Sequence, residues 1–446
     1  MDSDDDGDGD GADGMTRKPA GYSIRSGVMD EKASACKALN CYASHCPRAF
    51  APYIAKASEL LGGMTDYMHE MVRVQAHLAL AQTTIAALSI NPEGAKELVN
   101  DSLSATIRCV LEDEDRDAVA ASVEAAALLV NILKEHRGVD VSQHVIDLTA
   151  ASLEILEGNT FCQVEDGYDS EEGDEEGDEE GDEDEDEDVE AGLVVIEAVA
   201  ELLPALAMYM GETFATHFVP HFNALMKRTE ENHTETERSL CYATLVEVVR
   251  AVGAPAAGCA VVALPRCLRD VASLDVGLRR NSIYCIGILA QIGGASAIDF
   301  HGAIAEALAP MTRADRESDG GVRDNAVGAI ARLLQVIDGG HARENASALL
   351  DVVLNALPLR NDLEEGPDVY HWLASTITEN PTSLADAAMT RIVGILAEVV
   401  TDGALAPIDT SRILGIALSR AEDQRVRATL SSLPAQSQDA IRRAGA

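Results

Sequence analysis

One short phrase recurs along this chain: an apolar residue, an arginine, a small or polar residue, then an apolar stretch of helical periodicity. It reads MVRVQAHLAL at 71–80, GLRRNSIYCIGIL at 277–289, GVRDNAVGAIARLL at 321–334 and RVRATLSSL at 425–433. In the two clearest copies the leading apolar residues, Leu278 and Val322, lie 44 positions apart. Weaker copies place Arg238 41 residues before Arg279, in ERSLCYATLVEVV, and Lys32 41 residues before Arg73, in EKASACKALN. A unit of about 40–47 residues with two helices cannot cover its own apolar face, so successive units must stack into a solenoid.

The stretches between the copies agree. In 71–88, Val72, Ala76, Ala79, Leu80, Thr83 and Ala87 form one helical stripe. Ile54, Ala57 and Leu61 share a face in 50–61, and 194–206, 240–252, 283–292 and 327–337 repeat the pattern. No segment shows sustained period-two alternation with hairpin turn chemistry. Hydrophobic residues make up 47% of the chain but aromatics only 4%, with Trp372 the one tryptophan. Small aliphatic side chains suit closely packed helices better than a β-sandwich. The expected fold is all-α, a superhelical solenoid of HEAT or armadillo type with about nine helix pairs from near Asp30 onward. Pro52, Pro92, Pro220, Pro255, Pro265, Pro310 and Pro381 fall near the start of, or within, the first helices of these pairs, where a proline initiates or bends a helix.

Two stretches break the period. Residues 2–13 hold 7 acids and 165–190 hold 19, with no Lys or Arg in either. The net charge of −42 is thereby concentrated, and the other 408 residues carry only −16. Such segments repel themselves and have little apolar surface to bury, so both are expected to be disordered. The expected organisation is an acidic segment at 1–21, repeats at 22–163, an acidic loop at 164–189 between two helices of one repeat, and repeats at 190–446. The charge excludes direct nucleic-acid binding and an anionic membrane surface, and favours a basic partner. The uncharged run near 251–265 is too short to span a bilayer and contains proline, so no membrane insertion is expected.

In order, the chain shows an acidic segment, GYSIRSGVMDEKASACKALN, Phe-Ala-Pro-Tyr, a second acidic segment, LRRNSIYCIGILA, VRDNAVGAIARLL and LPLRNDLEE. This order resembles the C-terminal half of nuclear import receptors of the importin-β (karyopherin) superfamily, and most closely the importin-four branch. The resemblance runs from Gly21 to the C-terminus. VRDNAVGAIARLL followed by LPLRNDLEE about 35 residues later carries its specificity, since the bare Val-Arg phrase is generic to HEAT repeats. The resemblance implies a receptor that shuttles between cytoplasm and nucleus. It implies basic cargo such as histone H3–H4 and ribosomal proteins, passage past nucleoporins, and cargo release by Ran-GTP at N-terminal repeats. Family members run to roughly twice this length, and the principal Ran-binding repeats are not among those present here. The chain reads as a fragment, a truncated gene model, or a receptor half without Ran control.

The family receives cargo lysines in late-repeat pockets on the concave face. The matching residues are Asn325 and the pair Glu364 and Glu365, with Asn281 equivalent to Asn325 one repeat earlier and Glu247 on the second helix of its own repeat. An ammonium is a point charge with three donors, which two carboxylates and an amide oxygen can satisfy. The competing structural role is that the asparagines tie repeats together and the Glu pair opens a helix capped by Asp362. The Trp that often follows the acidic pair is replaced by Gly366-Pro367, with Trp372 six residues on. The second acidic segment, with three Glu-Glu-Gly-Asp copies and then Asp182, Glu183, Asp184, Glu185 and Asp186, suits an electrostatic clamp for basic cargo, or a solubilising spacer. Ser170, in Asp-Ser-Glu-Glu, has the context of an acidophilic-kinase site.

Cys36, Cys41 and Cys46 recur every five residues, which on one helix spreads them around the axis and does not converge on a metal. Cys241, Cys259, Cys267 and Cys285 read as core thiols. Neither a cofactor nor catalysis is expected, since no phosphate loop, nucleophile elbow or dinucleotide fingerprint is present. Two other functions fit the same features: an acidic HEAT-repeat chaperone for histones or ribosomal proteins, and a HEAT scaffold without a transport role.

Overall fold

The computed structural model describes residues 26–164, 181–313, 319–337, 346–379, 381–405 and 408–446, and of Ser26 and residues 181–191 it describes the backbone alone. The acidic segment at 1–21, the acids of 165–180 and Ser170 lie outside these residues. Among the described residues there is no strand.

Numbering only helices of eight residues or more, the chain forms α1 (Ser26–His45), α2 (Ile54–Gly62), α3 (Glu70–Ile90), α4 (Lys96–Glu112), α5 (Arg116–Leu133), α6 (Ser142–Glu157) and α7 (Gly181–Met210). It continues through α8 (Ala215–Lys227), α9 (Glu235–Val252), α10 (Ala260–Asp270), α11 (Val276–Ile292), α12 (His301–Leu308) and α13 (Gly320–Val336). The last helices are α14 (Ala346–Ala356), α15 (Gly366–Glu379), α16 (Asp386–Thr401), α17 (Ile408–Arg420), α18 (Gln424–Ser432) and α19 (Ala435–Ala444). Odd-numbered helices pack on odd and even on even, so two layers run the length of the molecule. Among the described residues nine even–odd pairs follow the single odd helix α1, in keeping with the repeat period.

The odd layer is the tighter one. Neighbouring odd helices lie against each other along their lengths, whereas even helices meet over shorter stretches. Between α2 and α4 the even layer leaves a groove of about 690 Å³. A stack packed more closely on one side curves toward that side, so the odd helices line the concave face. This double packing explains their composition. On α3 the expected stripe of Val72, Ala76, Ala79, Leu80 and Thr83 is buried, with Ala87 half-buried, but Ala81, Thr84, Ala86 and Leu88 are buried as well.

The recurring arginine has a structural reason. Arg73, Arg238, Arg279 and Arg323 are each the fourth residue of an odd helix. Arg73 forks onto Asp113 at 2.7 and 2.9 Å, 40 residues on, and donates to the Tyr67 carbonyl at 2.9 Å. Arg279 donates to Asp319 at 2.9 Å and to the Ser273 carbonyl at 3.0 Å. Arg238 donates to Asp270 at 2.9 Å, and Arg323 to the carbonyls of Thr312 and Ala356. Each guanidinium satisfies loop carbonyls or a carboxylate of the adjoining repeat, which fixes both the residue type and the period. Arg425 does the same from the even helix α18, donating to the carbonyls of Leu384 and Pro381 at 2.8 and 2.6 Å. Lys32 lies over the Tyr67 ring, 5.2 Å from its centroid.

Two element positions differ from those expected. The helix expected to start near Ala191 starts at Gly181, so Asp182, Glu183, Asp184, Glu185 and Asp186 lie on the first turns of α7 instead of in a loop ending at 189. Pro310 follows α12 instead of beginning or entering a helix. The apolar stretch Gly192–Lys227 has a mean hydropathy of 1.9 and is long enough to cross a membrane by length and composition. The chain breaks at Gly211, however, where φ is +59°. Val195, Val199, Leu202, Leu203 and Leu206 of that stretch are core residues of the stack.

Candidate functional site

The concave face is built from the solvent-facing sides of the odd helices. In the late repeats that side is closed by a ladder of paired charges. Arg332 of α13, 2% exposed, donates to Glu365 at 2.7 Å and to Asp368 of α15 at 2.9 Å, and lies 5.4 Å from the centre of the Tyr284 ring. The pair fits because residue 328 is glycine: a Cβ there would stand 2.0 Å from Glu365 Oε2. Gly287 similarly admits the Ala329 backbone, with a Cβ position 2.8 Å from its Cα. Burial lifts the Glu365 carboxyl above its ordinary value, against the lowering effect of Arg332.

The expected site residues are therefore differently placed. Glu365 is buried and committed to Arg332, while its neighbour Glu364 is exposed. Asn325 is 4% exposed and donates to the Gly321 carbonyl at 2.9 Å and to Asp362 at 2.8 Å. Asp362 does not cap the following turn, and instead accepts from Asn325 and, at 3.0 Å, from Arg280 of α11. Asn281 donates to the Ser239 hydroxyl at 2.9 Å and carbonyl at 3.2 Å, bridging α11 to α9. Glu247 is half-exposed on α9, accepts from the Tyr284 hydroxyl at 3.5 Å and lies 4.0 Å from Arg250. Two expected carboxylates, Glu247 and Glu364, thus face solvent, while Asn281, Asn325 and Glu365 link repeats.

The sequence reading missed a second group. Glu124 of α5 and Glu197 and Glu201 of α7 are exposed on adjacent odd helices, and none has a cationic partner among the described residues. Partial burial of its carboxyl raises Glu124 above its ordinary value, with Glu201 and then Glu197 adding to the effect. Glu197 and Glu201 lie on the helix that also holds Asp182–Asp186, so one length of α7 carries both sets. The signal in the sequence was the spacing of Glu197 and Glu201, which puts two like charges on one helix face at i, i+4. Among the described residues no cluster of His, Cys, Asp and Glu has the arrangement of a metal site.

Over 93% of its length this chain is 28% identical to human importin-4 and 27% identical to mouse importin-4, in each case covering 38% of the relative. The karyopherin Kap121p, in its complex with the SUMO protease Ulp1p, superposes with a TM-score of 0.69 at 16% identity, over 94% of this chain and 38% of Kap121p. The chain is similar to importin-4 and shares the helical solenoid fold of Kap121p. No family model matches it. It spans less than two-fifths of the length of these relatives. Kap121p has also been solved bound to RanGTP and bound to Nup53p. The solenoid fold shared with Kap121p accounts for the two-layer stack and the even–odd pairing.

Proposed function

We propose that this solenoid is the cargo-binding part of a nuclear import receptor, working in cytoplasm and nucleus, and that it takes basic protein segments on its concave face. The supporting observation is the unpaired Glu124, Glu197 and Glu201 group on α5 and α7, continuous with the acids of 181–190, in a chain similar to importin-4 over 93% of its length. Carboxylates without internal partners are available to lysine and arginine, and a −42 chain draws such cargo from a distance. Glu247 and Glu364 extend the same reading into the late repeats. Histone H3–H4 tails and ribosomal proteins are the cargo class that fits, with nucleoporins as transit partners.

The test is fluorescence anisotropy with a labelled histone H3 tail peptide on the full chain at low and at high salt. A Glu124→Lys, Glu201→Lys variant should weaken binding at least tenfold with unchanged helicity, and Glu364→Lys with Glu247→Lys should weaken it less. Deleting 165–180 should slow association more than it lowers affinity. If the deletion alone abolishes binding, the chain is an acidic chaperone. If neither salt nor any charge reversal matters, it is a scaffold with apolar contacts.

A further inference from the structure

We propose that the outer face of the solenoid carries a second binding surface, a groove between α2 and α4 that takes an extended partner segment with an apolar centre and basic ends. Short side chains open this groove. Ala55, Ser58 and Gly62 recur at i, i+3 and i+7 along α2, and Asp101, Ser104 and Ala105 line the opposite wall from α4. None is long enough to close the gap between two even helices, which leaves about 690 Å³ open. The floor is apolar: Leu80 of α3 is buried, and Leu98 of α4 is half-buried against the same small core. Helices α1 and α5 pack on α3 from either side, so the groove lies inside the described stack.

Thr65 and Arg108 line this groove and also a second recess, of about 460 Å³, at the turns after α2 and α4, so the two form one channel. Met68, 69% exposed, stands in that recess. Charge selects the occupant. The cations along the channel already have acidic partners. Arg108 donates to Asp66 at 2.8 Å and Arg73 to Asp113 at 2.7 and 2.9 Å. Lys56 donates to Glu59 at 2.9 Å, and Lys96 lies 2.7 Å from Glu93. Glu97, Asp101, Glu112 and Glu114 also line the channel, all exposed, and among the described residues their carboxylates have neither an ion pair nor a hydrogen bond. The unpaired charge is thus negative at both ends, Glu97 and Asp101 at one and Glu112 and Glu114 at the other. Along α4, Ala105 of the apolar lining and the Asp66–Arg108 pair lie between them. Helix α4 rises about 22 Å from Glu97 to Glu112, the span of about seven extended residues. A segment with Lys or Arg at both ends and a leucine-like residue between them matches this order. The even layer is opposite the odd layer that bears Glu124, Glu197 and Glu201, so both surfaces can be filled at once.

The probe is a labelled, end-blocked peptide, Lys-Lys-Ser-Leu-Ser-Lys-Lys, titrated into the full chain and read by fluorescence anisotropy. The expected result is saturable binding that weakens at least fivefold in Asp101→Lys with Glu112→Lys. It should weaken as much in Ala55→Trp, which fills the groove from α2, at unchanged helicity. Glu124→Lys with Glu201→Lys should leave it within twofold. Exchanging the central Leu of the peptide for Ser should also cost at least fivefold. Equal binding of that Ser-centred peptide reduces the contact to long-range attraction by an acidic chain and overturns the proposal. Equal binding of a peptide with Gln in place of every Lys makes the groove a site for neutral apolar segments and overturns it too. So does the absence of saturable binding. Binding lost in Glu124→Lys with Glu201→Lys but kept in both groove variants puts the peptide on the concave face, which overturns the outer site and leaves the concave reading standing.

Discussion

Gly328 and Arg332 lie one helical turn apart on α13, and they show how a single residue decides the concave face. Any side chain at 328 displaces Glu365 from Arg332. Gly328→Ala should cost about 1–3 kcal/mol by overpacking. Arg332→Met should cost about 3–5 kcal/mol, because it leaves a buried carboxylate unpaired, and adding Glu365→Leu should recover much of that loss. Urea unfolding followed by Trp372, on the same helix as Asp368, measures all three. His77 provides a pH-dependent counterpart. It is 3% exposed, its Nε2 has no partner, and burial pulls its pKa to about 4, opposed by Asp113 and Asp66 and aided by Arg108 and Arg73. Between the ordinary value of 6.5 and about 4, the unfolded chain binds a proton that the fold refuses. Stability should then fall by roughly 3 kcal/mol as pH drops through that window. His77→Leu should flatten this part of the pH profile in urea titrations.

At the scale of elements, the arginine phrase was legible because its geometry is local: the fourth residue of an odd helix reaches the loop beside it. Its partners were not legible, since Asp113, Asp319 and Asp270, the last residue of α10, are positioned by the neighbouring repeat. The same holds for Asp324, which reads as an ordinary polar position in VRDN. It is fully buried, and one oxygen accepts the backbone N–H groups of Arg360, Asn361 and Asp362 at 2.8, 2.6 and 3.0 Å. That carboxylate organises the LPLRNDLEE loop before α15, and with the Asn325–Asp362 bond it accounts for the co-occurrence of VRDN and LRND. Asp324→Asn weakens three charge-assisted bonds. Hydrogen exchange at 360–362 should accelerate tenfold or more, with little change at α5 or α7.

Over the whole molecule, contacts are between neighbours, so unfolding should not be all-or-none. The core divides unequally. One cluster runs from Leu88 to Ile441, while the first repeat has a small separate cluster of alanines with Cys36, Phe50, Leu61 and Leu80. Less apolar area per residue means lower local stability. In a urea titration, loss of helicity should begin before the Trp372 signal changes, and hydrogen exchange should be fastest in α1 and α2. Coincident transitions by both probes would contradict this. The sequence by itself determined the helical class, the two-helix period, the count of about nine pairs and the location of the excess charge. All four follow from periodicity and composition, which are properties of neighbours along the chain. Only the tertiary structure decided which acids are available. Glu365 and Asn325 look as open in the sequence as Glu364 and Glu124, but a residue is sealed or exposed by what the adjacent repeat places against it, some 33 to 37 residues away for Arg332 and Asp362.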